Sequence, residues 1–99
     1  MRVVWRPSAL TDRDNIMNHI CQDNPDAALV LDEIFELKAD QARQRPKLYR
    51  RGRVFGTHEI VATSNYIMVY MVLDETVEVV RILHARQKWP WTESTAGSS

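Results

Sequence analysis

The stretch that most constrains this chain is Tyr66-Ile-Met-Val-Tyr-Met-Val-Leu73, eight residues that are apolar at both parities. β-Branched and aromatic residues at that density predict a strand. Apolarity on both parities demands cover on one or both faces, which makes it a central strand and not an edge. A short polar break, Asp74-Glu-Thr76, leads into a second run, Val77-Glu-Val-Val-Arg-Ile-Leu83. Two such runs so close together predict an antiparallel hairpin. Regular alternation places Val77, Val79, Arg81 and Leu83 on one face and Glu78, Val80 and Ile82 on the other. Just beyond, His84, Arg86, Lys88, Trp89 and Trp91 crowd into eight residues. A charged, aromatic cluster at the end of a buried hairpin is where a site is expected.

The rest of the chain is arranged around this hairpin. Val3-Val-Trp5 is short and apolar and reads as an N-terminal strand. Pro7 then suits the first turn of a helix, because its missing N–H has no partner to lose there. That helix is expected to reach about Cys21, with Leu10, Ile16, Met17 and Ile20 at partly helical spacing. Gln22-Asp-Asn-Pro-Asp26 is the sharpest boundary: Asn24 is a good N-cap, Pro25 fits N1, and Asp26 complements the helix dipole. The second helix is expected to run to about Arg45. Its apolar stripe is Ala27, Leu31, Ile34, Phe35, Lys38 and Ala42, widened by Val30 and Leu37. Pro46 ends it, since the residue before a proline is pushed out of the helical region. The short loop between the helices makes them an antiparallel pair. Thr57–Thr63 reads as a strand that Ser64-Asn65 turns into the central one. The order is β-α-α-β-β-β, an α+β domain with a two-helix hairpin packed on one face of an antiparallel sheet and the other face partly open. Residues 1–91 form this single domain, and the small polar residues 92–99 are expected to be a disordered tail.

Composition removes whole classes of function. The 99 residues carry 13 basic and 13 acidic side chains, a formal charge of +0, so nucleic-acid binding has to come from local clustering. The single Cys21 allows no internal disulfide and suits a reducing compartment. No apolar run is long enough for a membrane span, and the first residues hold no signal core, so a cytoplasmic protein with no membrane contact is expected. No Cys/His pattern has zinc spacing, and Arg51-Gly-Arg-Val-Phe-Gly56 leads into a strand and not the helix a phosphate loop needs. Neither metal nor cofactor is expected.

The two-helix opening, Arg53-Val-Phe-Gly-Thr-His-Glu-Ile60, Asn65-Tyr-Ile-Met-Val-Tyr70 and Val77-Glu-Val-Val-Arg-Ile-Leu-His-Ala-Arg86 together resemble the RelE/ParE superfamily of toxins from type II toxin–antitoxin modules. The resemblance extends from about Val3 to Trp91. It implies a small growth-arresting toxin of the plasmid-stabilisation type. Its partner would be a cognate antitoxin, which would also carry the contact with operator DNA. Two mechanisms divide the family. RelE-like members cut mRNA on the ribosome; ParE-like members poison DNA gyrase and hydrolyse nothing known. Against the basic RelE pattern this chain departs: His58 and Ile60 stand near the two sheet lysines, and Ile67 stands where an arginine follows the strand-opening tyrosine. Only Arg86 matches the C-terminal basic group.

Metal-free RNA cleavage needs a base for the 2′-OH, a cation for the phosphorane and an acid for the leaving oxygen. His84, Arg86, Arg81 and His58 are the candidates for those roles. A histidine ionises near neutrality and can exchange protons at physiological pH. Lys47, Arg50, Arg51 and Arg53 of the basic loop, with Lys88 and Trp89, are candidates for holding nucleic acid. Each has a plain structural reading as well: a strand-end histidine bonded to backbone, an arginine paired with Glu59 or Glu78, a solvated loop, a tail folded on the core. The mRNA-cleaving reading is preferred by a narrow margin over the gyrase-poison reading.

Overall fold

Residues 1–86 are described by a computed structural model. The elements run β1 (Arg2–Trp5), α1 (Pro7–Asp23), α2 (Pro25–Gln44), β2 (Thr57–Thr63), β3 (Tyr66–Leu73) and β4 (Thr76–His84). Lys88, Trp89, Trp91 and the tail 92–99 lie outside the described residues. None of the described helices is long and apolar enough to cross a membrane.

Asn24 makes the corner between the helices. Its N–H closes α1 on the Ile20 carbonyl at 2.8 Å, and its side chain accepts from the Ala27 N–H at 3.1 Å to cap α2. One residue therefore satisfies the end of one helix and the start of the next, and the chain reverses sharply. Arg13 ties the pair together. Its guanidinium bonds Asp32 at 2.7 Å and Glu36 at 2.7 Å, and lies 4.6 Å above the Trp5 ring. Despite partial desolvation, the bonds to Glu36 and Asp32 hold its pKa above the usual arginine value.

The buried stripe of α2 is Ala28, Leu31, Phe35, Ala39 and Ala42. It is rotated from the expected one: Val30 and Leu37 are exposed. Three alanines let the helix settle close to the sheet, and Phe35 fills the remaining depth with its ring edge-on to Tyr66, 6.2 Å between centroids.

The sheet order is β1-β4-β3-β2. β3 is central, as its double apolarity requires. β1 runs parallel to β4, so the sheet is mixed and not antiparallel throughout. The chain leaves β1 through both helices and two strands before it returns as β4, and only such a long crossover can bring strands together in parallel. The helix-covered face buries Ile60, Met68, Tyr70, Val77, Val79 and Ile82. On the opposite face Val69, Val80 and Leu83 cluster with Met71. Val69 and Leu83 have no accessible surface, whereas Val61 on the same face is 51% exposed, so the second face is closed around that cluster and open at β2.

A bulge breaks the alternation in β4. Tyr70 pairs with Val79 and Val69 with Arg81, which leaves Val80 as the extra residue. Parity flips there: Ile82 joins Val77 and Val79, whereas Leu83 joins Val80 on the other face.

Two stretches of strand edge, β4 beyond the end of β1 and the outer side of β2, are capped by polar bonds. β1 accompanies β4 only as far as Val79. From there α1 takes over: Ser8 Oγ donates to the Val80 carbonyl at 2.7 Å, and the Ile82 N–H donates to Asp12 Oδ2 at 2.9 Å. At the other edge the basic loop lies along β2, with the Glu59 N–H donating to the Arg50 carbonyl and the Gly52 N–H to the Thr57 carbonyl. A Cβ on Gly52 would collide with Thr57 Oγ1, which explains the glycine. Covering edge donors and acceptors in this way blocks pairing with other chains.

Candidate functional site

The candidate residues fall into three separate places. The first is the end of β4. His84 is its last residue and sits opposite Tyr66, with ring centroids 5.5 Å apart in an edge-on arrangement. The Arg86 N–H donates to His84 Nδ1 at 3.1 Å. Nδ1 is therefore the acceptor, and the neutral ring carries its proton on Nε2. His84 and Arg86 are thus brought together, through backbone. Half-buried His84 lines a cleft of about 270 Å³ with Asp12, Asn15, Ile16, His19, Tyr66 and Ile82. His19 was not among the expected residues. Its signal lay in the helical spacing of Asp12, Asn15, Ile16 and His19, which puts all four on one side of α1.

Arg81 is tied up at the edge of this same cleft, on the carboxylate of Asp12. Its Nε donates to Asp12 Oδ2 at 2.7 Å and its Nη2 to Oδ1 at 3.0 Å. This bidentate bond holds its pKa above the ordinary arginine value, against partial desolvation. Asp12 also accepts from the Ile82 backbone, so the ion pair is part of the clasp that holds α1 on β4. The partner foreseen for Arg81 was Glu59 or Glu78; α1 supplies it instead, from 69 positions away.

The second place is the buried carboxylate of Glu59, 3% exposed. Arg50 bonds it at 3.0 Å, Arg53 Nε at 3.2 Å, and the Arg53 backbone N–H at 3.0 Å. Two of the four loop cations are thereby committed to holding the loop against β2.

The third place is a cleft of about 440 Å³ between that loop and the start of β2, lined by Lys47, Tyr49, Arg51, Phe55 and His58 among others. The His58 ring stacks on Tyr70 at 5.3 Å and 16°. Its Nδ1 lies 3.2 Å from the Tyr49 carbonyl. A carbonyl only accepts, so Nδ1 bears a proton, and in the neutral ring Nε2 is the acceptor nitrogen. The Tyr70 hydroxyl beneath donates to the Pro46 carbonyl. Burial, reinforced by Tyr49, pushes its pKa up to about 12.

His58 and His84 do not share a site. His58 faces Tyr70, and His84 faces Tyr66 from the opposite neighbour of β3. Four residues along the strand and two strand spacings put them roughly 16 Å apart. One phosphate cannot reach both.

Comparison with known proteins bears on this arrangement. The family model described as the ParE toxin of the type II toxin–antitoxin system, parDE, matches residues 3–89. Y4kP of Sinorhizobium fredii, a protein named as a toxin, is 34% identical over 90 residues, covering 90% of this chain and 93% of its own. Toxin RelE2 of Caulobacter vibrioides is 35% identical over 86 residues, covering 85% and 94%. Among solved structures, the chromosomal ParDE system of P. aeruginosa shares the fold with a TM-score of 0.75 at 19% identity, over 85% of this chain and 95% of that one. A YoeB/ParE toxin from Agrobacterium tumefaciens does so with a TM-score of 0.62 at 18% identity, over 85% and 98%.

Proposed function

This chain belongs to the ParE toxin family of type II toxin–antitoxin systems, and we propose from there that it arrests growth in the cytoplasm by binding a protein target, DNA gyrase, with no hydrolysis of its own. Its partner is a cognate antitoxin, which neutralises it. One observation carries the mechanistic choice: the groups a metal-free ribonuclease would need are either split between two clefts or committed to ion pairs. Arg81 is bound to Asp12, Arg50 and Arg53 to Glu59, and His58 and His84 line different clefts. Base, cation and acid must converge on one phosphate to act together, because their effect depends on orientation within hydrogen-bonding distance. This reading reverses the narrow preference that the strand-end histidine gave to mRNA cleavage.

A second reading keeps one specific support. Neutral His58, with Nδ1 on the Tyr49 carbonyl, has Nε2 as its basic nitrogen, in a cleft that also holds Lys47 and Arg51. On that reading the chain cuts mRNA on the ribosome.

Purified toxin decides between them in two assays. Added to gyrase, it is expected to inhibit supercoiling and to accumulate cleaved DNA, and the cognate antitoxin reverses both. Added to programmed ribosomes, it is expected to leave mRNA intact. Ribosome-dependent cleavage that His58→Ala abolishes, with gyrase unaffected, would replace the first reading with the second.

A further inference from the structure

We infer that the cleft between the basic loop and β2 is a subsite for single-stranded nucleic acid, with phosphate held by Lys47 and Arg51 and a base stacked on Phe55. The fold itself sorts the loop cations. Arg50 and Arg53 are spent on Glu59, whereas Lys47 and Arg51 form no ion pair and no side-chain hydrogen bond among the described residues. Both line the same cleft, and both are exposed. Phe55 stands on the rim with 97% of its surface open to water. A phenylalanine held that far out has no packing role. Gly56 follows it with a φ of 87° and nothing within 4 Å of where a Cβ would stand, a backbone that glycine adopts without strain. Cations without carboxylate partners beside a bare aromatic face are the two elements of sequence-tolerant single-strand binding: a backbone track and a stacking platform.

An acidic protein segment is the competing occupant. Against it stands the setting of Phe55. An aromatic that anchors a protein partner sits within a ring of contacts that shut out water. Here the other exposed apolar side chains of this region, Leu48 and Val61, line a different depression, and the neighbours of Phe55 in its own cleft are Lys47, Arg51, two glycines and the half-buried Tyr49, Val54 and His58, not a closed apolar ring. The inference concerns binding alone and does not depend on which target the toxin inhibits.

The test is fluorescence anisotropy of labelled eight-nucleotide single strands, dT and U, titrated with the full chain across a salt series. Both strands are expected to bind. Lys47→Ala and Arg51→Ala should each flatten the slope of log Kd against log salt by about 0.7. Phe55→Ala should weaken binding roughly 5- to 100-fold with the slope unchanged, and Phe55→Trp should restore it. Arg43→Ala, at a half-buried cation of α2 already paired with Asp40, should change neither. U bound with dT excluded would assign the site to RNA through the 2′-OH, and equal binding would assign it to either strand. The inference fails if Phe55→Ala is silent or if Arg43→Ala matches Lys47→Ala. It fails also if oligoglutamate of equal charge binds as tightly and with the same dependence on Phe55, which would give the cleft to an acidic protein.

Discussion

Removing the Asp12 carboxylate should unlatch α1 from β4. Asp12 accepts three hydrogen bonds, two from the Arg81 guanidinium at 2.7 and 3.0 Å and one from the Ile82 backbone at 2.9 Å. Its side chain is 15% exposed and that of Arg81 22%. Breaking a fully buried pair by deleting one partner costs about 3–5 kcal/mol, and a surface pair is worth about 0–1. The residual exposure lets water reach the abandoned guanidinium, but the Ile82 N–H sits in a strand with no neighbour to replace the carboxylate. Asp12→Ala should therefore destabilise by about 2–3 kcal/mol, and Asp12→Asn, which keeps one acceptor, by about half of that. Urea unfolding followed by far-ultraviolet circular dichroism measures both, as a shift of midpoint at constant slope. A double-mutant cycle with Arg81→Met then isolates the ion pair, with an expected coupling of about 1–2 kcal/mol. A loss below about 0.5 kcal/mol for Asp12→Ala, with no coupling, would refute the clasp. It would also return Arg81 to the pool of cations able to meet a phosphate, and weaken the case against a nuclease.

Three further outcomes follow from the same structure. Glu59 is buried while Arg50 and Arg53 are 60% and 37% exposed at their side chains. Glu59→Ala lets the arginines return to water and should cost about 1–3 kcal/mol, whereas Arg50→Ala with Arg53→Ala strands the carboxylate and should cost more, about 3–5, by chemical denaturation. Gly52→Ala places a methyl against the Thr57 side chain and 3.3 Å from its backbone carbon, so the loop must lift from β2; thermal melting should show a loss of about 1–3 kcal/mol. A tyrosine in the unfolded chain ionises near 10, but Tyr70 in the fold near 12, so between those values the unfolded chain sheds a proton that the native one keeps. Stability is then whole below about pH 10 and falls by about 2–3 kcal/mol as pH rises through 12, a loss that denaturation of Tyr70→Phe across the same range should not show.

The elements and their kinds are written in local sequence. Pro7 and Asn24-Pro25 open the two helices, Pro46 follows the end of the second, and the hairpin from Tyr66 is set by its apolar runs, because caps, prolines and strand periodicity act over a few residues. The central place of β3 was legible for the same reason: a strand apolar at both parities has to be covered. The family, too, could be read from the order and spacing of these pieces. What lay beyond the sequence were the relations between residues far apart in the chain. The parallel pairing of β1 with β4, the bulge that turns Val80 aside and the rotation of α2 onto its alanines are settled by packing. None leaves a local mark. Most consequential is the fate of the charges. Arg81, Arg50 and Arg53 look alike in the sequence as cations available for chemistry, and so do Lys47 and Arg51. Tertiary structure alone brings Asp12 to the first and Glu59 to the next two, and leaves the last two facing a cleft. Ion pairing falls off within a few ångströms, so what a charged side chain is free to do is decided by which carboxylate the fold sets beside it.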